Sequence, residues 1–197
     1  MGSSISQVLL LIIHTLGGLY IFAVLLRFLL QATRADFYNP ISQAIVKFTS
    51  PLLNPLQKIV PGYKGYDFAA LILAFGLNII ATALMIFVGG FDLPHIGTIT
   101  AWSFIGLVDF VLNIYFYSLL VSIIASWIAP YSGNPVLLLI QQLLEPIMKM
   151  IHKILPPMGG LDFSPIFVFL GIQAIEILLV QGLAQSLSLN PDYVIGI

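Results

Sequence analysis

Four long apolar stretches dominate the chain: Ile5 to Leu30, Phe68 to Val88, Trp102 to Ile128 and Phe163 to Leu183. A helix rises about 1.5 Å per residue, so roughly 20 residues cross the ~30 Å of bilayer hydrocarbon, and each stretch is long enough. Between the first two and between the last two, the pattern changes to a one-sided stripe. Ile41, Ile45, Phe48, Leu52, Leu56 and Ile59 recur at helical spacing, with Gln43, Lys47, Ser50, Asn54 and Lys58 on the other face. Val136, Ile140, Leu143, Ile147, Ile151 and Ile154 do the same against Gln142, Glu145, Lys149, His152 and Lys153. These loops are predicted to be amphipathic helices lying in the membrane interface. Pro51 and Pro146 fall inside the stripes, where proline removes a backbone donor and crowds the preceding turn. Each loop is therefore expected to hold two short helices meeting at a kink. Asp67 and Asp162 precede the second and fourth spans, where a carboxylate suits unsatisfied helix amides.

The punctuation repeats. A shift of 95 residues places Asn39-Pro40 on Asn134-Pro135, Pro51 on Pro146, Lys58 on Lys153, Pro61 on Pro156 and Asp67-Phe68 on Asp162-Phe163, without a gap. Coincidence at one offset over this length marks a duplication. The expected fold is an all-α membrane protein of four transmembrane helices, built as two tandem parallel helix-loop-helix repeats over residues 1–95 and 96–197. Two spans per repeat give both copies the same orientation, related by an axis along the membrane normal.

Charge sets that orientation. Arg27, Arg34, Lys47, Lys58 and Lys64 lie in or beside the first inter-span loop, and Lys149 and Lys153 in the third, which accounts for all seven basic residues. The positive-inside rule puts both long loops in the cytoplasm and both termini outside, periplasmic in a bacterial inner membrane. Only 8% of residues are charged and 59% are hydrophobic, a balance that makes lipid the main solvent and the bilayer the first partner. The net charge of −1 gives no reason to expect nucleic acid. With no cysteine there is no disulfide, thiolate metal site or Cys nucleophile. Zinc-protease helices, phosphate-binding glycine loops and nucleophile elbows are all missing, so neither an enzyme nor a cofactor or resident metal is expected.

Ionisable groups inside spans cost at least ~2.5 kcal/mol each near the bilayer centre, so each needs a reason. The 95-residue shift sets His14 opposite Asp109, and Glu176, 14 residues beyond Asp162, rises to a similar level. His14, Asp109 and Glu176 are expected to share one layer, read either as a proton- or cation-binding site or as groups that pair to hold the bundle. Glu176 breaks the repeat, lying opposite Ala81, and Arg27 breaks it opposite Ser122. Tyr63, Tyr66, Trp102, Trp127 and Tyr131 suit aromatic belts at span ends. His95 reads as a solvated turn residue.

Arg27-Phe28-Leu29-Leu30-Gln31, Arg34 to Pro40, Pro51-Leu52-Leu53-Asn54-Pro55-Leu56, and their echo in Ser126-Trp127, Asn134-Pro135 and Glu145-Pro146 resemble the bacterial YggT family, related to the YlmG proteins of plastids and cyanobacteria. One departure stands out: the second repeat often has an Arg shortly before Ser-Trp, where this chain reads Ser122-Ile123-Ile124-Ala125. The resemblance implies a small inner-membrane protein linked to osmotic tolerance and potassium balance, with plastid relatives linked to membrane-complex maturation and organelle division. Two expectations follow. One is a non-enzymatic component of osmoadaptation and ion homeostasis using His14, Asp109 and Glu176. The other is a scaffold or assembly factor whose cytoplasmic face, with Arg27, Arg34, Lys47, Lys58, Lys149 and Lys153, meets a partner. Four spans barely enclose a pathway, so a channel would need a homo-oligomer or a larger membrane complex.

Overall fold

The computed structural model describes residues 4–129, 132–156 and 162–197; Tyr131, expected in an aromatic belt, lies outside them. The described residues are helical almost throughout. The order is α1 (Ser4–Ala32), α2 (Pro40–Gln57), α3 (Phe68–Val88), α4 (Ile96–Ile128), α5 (Pro135–Ile154) and a last span from Ser164 to Ser186. α1, α3, α4 and that last span are the four helices long and apolar enough to cross a membrane. The last one is α6 (Ser164–Ile175), a wider π-helical stretch over Glu176–Gln181, and α7 (Gly182–Ser186).

Helix starts follow the capping chemistry written in the sequence. The Asn39 side chain accepts the Ile41 amide at 2.9 Å, and Asn134 accepts the Val136 amide at 2.9 Å, with proline at the first helical position of both α2 and α5. Asp67 accepts the Ala70 amide at 3.3 Å and Asp162 the Ser164 amide at 2.9 Å. His95, expected to be a solvated turn residue, is exposed and also caps α4 by accepting the Gly97 amide at 3.1 Å.

The two loops also touch. The Asn39 amide donates to the Pro135 carbonyl at 2.8 Å, and the Asp36 amide donates to the Gln142 side chain at 2.8 Å. Asn39 is buried and Asn134 exposed, so the two caps are unequal. Asn134→Ala should cost about 1 kcal/mol, the usual loss of a cap, whereas Asn39→Ala should cost about twice that because it also strands the Pro135 carbonyl. Unfolding of the two variants in detergent checks the difference.

Each loop is a single unbroken helix, not the two short ones expected from its proline. α2 runs through Pro51 and Pro55, and α5 through Pro146. Around Pro51 other donors brace the turn. The Thr49 hydroxyl bonds back to Ile45 at 2.8 Å, the Ser50 hydroxyl to Val46 at 2.6 Å, and Arg27 of α1 reaches Val46, Thr49 and Ser50. The loops differ in what they bury. α5 packs Leu139, Leu143 and Leu144 inward, whereas α2 buries Ser42, Thr49 and Leu53 and leaves Ile41, Phe48 and Leu52 exposed, as is Ile59 just beyond its end. Turned outward, the apolar stripe of α2 suits lipid in the interface.

The main core lies between α1 and α3. Ile21, Val24, Leu25 and Leu29 pack on Ala69, Ala70, Ala74 and Ala81, small residues that let two spans approach closely without water to drive them together. A second core joins Leu119, Leu144, Val168 and Ile172. Trp102, expected at the interface, is instead buried with Ile86 and Val194, and its indole donates to the Leu187 carbonyl at 3.2 Å.

At the start of the last span, partial burial pushes the Asp162 carboxyl up, but hydrogen bonds from Ser164 and the neighbouring His152, 3.0 Å away, outweigh it and hold the group below the usual carboxylate range. A depressed native value means the cap is at full strength above the ordinary carboxylate pKa of about 4 and is lost as pH falls through that lowered value. Protection of the Ser164 amide from hydrogen exchange, corrected for intrinsic rate, should hold above about pH 4 and collapse below it. Protection unchanged to pH 2 would rule this out.

Candidate functional site

Beyond α7 the chain does not trail away. After a 3-10 turn at Pro191–Tyr193 it folds back so that Val194 and Ile195 are 0% and 1% exposed inside the bundle. Two features admit it. Gly106 of α4 has no side chain, and a Cβ there would sit 2.5 Å from Val194 Cγ1 and 2.6 Å from the Ile195 carbonyl. Gly17 of α1 likewise leaves room for Ile195. Gly196 has φ of +112°, a conformation that favours glycine, and a Cβ on it would collide with the Gly106 carbonyl.

The returning segment is pinned by two amides from mid-span. Asn78 of α3, fully buried, donates to the Ile195 carbonyl at 3.1 Å and the Ser103 carbonyl at 3.3 Å, with Thr82 3.4 Å from its oxygen. Asn113 of α4 donates to the Gly196 carbonyl at 3.4 Å and to the Asp109 carboxylate at 3.1 Å. Inside an apolar span such amides must find partners, and the segment's carbonyls supply them.

Asp109 is buried, and the charge of Glu176, on the last span, acts on it directly. Each carboxylate is held by a neighbouring amide: Asn113 on Asp109, and Gln173 on Glu176 at 3.1 Å. Glu176 opens the π-helical stretch, a distortion that adds a residue to a turn and is frequent at functional sites. The ion pairs among the described residues are Lys149–Glu145 and His152–Asp162, so neither Asp109 nor Glu176 has a cationic side chain paired with it.

The third member of the expected layer stands apart. His14 is exposed on α1, and no three His, Cys, Asp or Glu side chains gather among the described residues. The structure therefore keeps Glu176 within electrostatic reach of Asp109 and leaves His14 out. Of the loop residues, Lys47, Lys58, Lys149 and Lys153 are exposed, Lys149 pairing with Glu145 at 2.6 Å in a solvent-screened contact worth at most about 1 kcal/mol. Arg27 is half-buried and bonded to α2, and Arg34 is exposed with φ of +56°. Sequence reading missed the folded-back segment and the role of Asn113. Gly106 and Gly196 were the available signals, since both mark close backbone approach.

A four-span α-helical membrane protein, with a buried carboxylate in its third span and a helix in each long loop, is the class these features define. The chain belongs to the CCB3/YggT family, whose model matches residues 6–88 and again residues 101–183, a displacement of the same 95 residues that superimposes the prolines and caps. It is 45% identical to the protein PA0392 of Pseudomonas aeruginosa over 174 residues, 88% of each chain. It is 36% identical to a protein encoded in the proC 3′ region of Vibrio alginolyticus, over 82% of this chain and 88% of that one. With YggT of Escherichia coli K12 it shares 35% identity over 89% of both. No solved structure matches it.

Proposed function

We propose that this protein acts in the bacterial inner membrane in osmotic tolerance and potassium balance, without enzymatic activity, by taking up a cation, H⁺ included, at Asp109 and Glu176. One observation supports the reading: Asp109 is buried in a span within electrostatic reach of the Glu176 carboxylate, and no cationic side chain is paired to either among the described residues. An ionised carboxylate buried in a lipid-surrounded bundle, with a second carboxylate in electrostatic reach, is costly, so it calls for a mobile positive charge. The half-buried amides of Asn113 and Gln173 and the π-helical turn at Glu176 supply fixed dipoles and an irregular backbone of the kind that lines ion sites. The positive-inside pattern favours cytoplasmic loops and periplasmic ends for the spans. In cells lacking the protein, the wild-type gene should restore growth at high osmolarity under limiting potassium, and Glu176→Gln should not. Full rescue by Glu176→Gln, at equal expression, would overturn the reading.

A second reading, a scaffold for a membrane complex, draws on the exposed Ile41, Phe48 and Leu52 beside Lys47 on α2, and on Lys58 and Ile59 at its C-terminal end. It predicts defined crosslinks from those lysines to one membrane protein.

A further inference from the structure

Where the end of α1 meets α2 there is a cavity of about 460 Å³, lined in part by Arg27, Gln31, Arg34, Phe37, Ser42 and Val46, and by no acidic side chain. Arg27 spends only Nη1 on α2, leaving Nε and Nη2 without a partner among the described residues. Asp67 is the carboxylate whose charge reaches Arg27, and its oxygens already serve Gln57 and the Ala70 amide. Arg34 is held in the left-handed region, at a cost on the order of 1 kcal/mol for a residue with a Cβ, and its side chain makes no bond among the described residues. Two guanidinium forks therefore line one cavity with free donors.

The second repeat carries the same cavity without the charge. At the 95-residue displacement Ser122, Ser126, Ala129, Ser132, Leu137 and Gln141 take the places of those six residues, and the volume shrinks to about 120 Å³. The bundle can thus close this corner with neutral residues. The arginines in the first repeat meet some other need.

A further cavity, about 350 Å³, shares Leu30 with the arginine-lined one. Phe22, Leu26, Ile114, Val121, Leu139 and Leu143 line it, so it lies on the seam between the repeats and is almost wholly apolar. Ile41 lines it too, next in sequence to Ser42 of the charged cavity.

We propose that the two cavities together hold one anionic phospholipid, its phosphate against Arg27 and Arg34 and an acyl chain along Leu26 and Leu30 between the repeats. The guanidinium fork matches phosphate oxygens, and basic pockets at the ends of transmembrane helices take anionic headgroups. A free anion would satisfy the arginines but has no use for the apolar slot that adjoins them. The lipid would tie the two halves of the duplication at the one corner where charge breaks their symmetry.

Native mass spectrometry of the purified full-length chain tests this, with phosphatidylglycerol, cardiolipin or phosphatidylcholine added and inorganic phosphate as competitor. The anionic lipids should bind at least about tenfold more tightly than phosphatidylcholine. Arg34→Gln, a change at an exposed side chain that the fold does not use, should remove about tenfold of that affinity, and Leu26→Trp should weaken it by filling the slot. Millimolar phosphate should not displace the lipid. Equal binding of phosphatidylcholine, unchanged affinity in Arg34→Gln, or displacement by inorganic phosphate would each overturn the proposal, the last by making the site one for a free anion.

Discussion

Replacing Gly106 by leucine should drive residues 194–197 out of the bundle and cost about 3 kcal/mol or more. The position has no space to give: even a Cβ would meet Val194 and the Ile195 carbonyl, the second being backbone that cannot step aside. Expulsion would expose Val194 and Ile195, each contributing roughly 1.5–3 kcal/mol when removed from water. It would also take from Asn78 one of its two carbonyl acceptors inside the membrane. Ile195→Ala keeps the backbone in place and should cost about 2–4 kcal/mol through the cavity it leaves. Hydrogen exchange separates these outcomes: the amides of 194–197 should lose protection in Gly106→Leu and keep it in Ile195→Ala. Continued protection in the leucine variant would mean the segment is not held where the structure puts it.

Asp109→Asn should make the protein more stable and less responsive at once. The substitution removes a charge that burial, and then the nearby Glu176 carboxylate, disfavours, while keeping a group that Asn113 can still hydrogen-bond, so a gain on the order of 1–3 kcal/mol is expected. Under the proposed function a bound cation relieves that charge in the wild type, so its melting temperature in detergent should rise with potassium concentration at fixed ionic strength. The asparagine variant should melt higher and show no such dependence. Stability gained at the expense of activity is the usual signature of a site kept under electrostatic strain. A variant that melts lower than wild type would show instead that the carboxylate is there to hold the bundle.

Much of the fold was legible because its determinants are local. The four spans declare themselves by length, and Asn39, Asp67, Asn134 and Asp162 each cap the helix they precede. The unbroken run of α2 through Pro51 was not legible, since the donors that brace it come from hydroxyls one turn back and from Arg27 on another helix. The buried face of α2 was misleading for a related reason: Ser42 and Thr49 are buried for the hydrogen bonds they make, which a hydrophobic stripe does not reveal. Seven residues at the C-terminus carry too little periodicity to announce a return into the bundle. In the site, equal depth was the ground for grouping His14, Asp109 and Glu176, but depth says nothing of which way a side chain faces, and His14 is exposed whereas Asp109 is buried.

The most direct measurement is cation flux in proteoliposomes holding the purified wild type, Asp109→Asn or Glu176→Gln at matched density, with potassium and proton gradients imposed in turn. The account predicts flux above protein-free vesicles for the wild type and a loss of at least about tenfold in each variant. Equal flux in all three, or none above empty vesicles in the wild type, would contradict it.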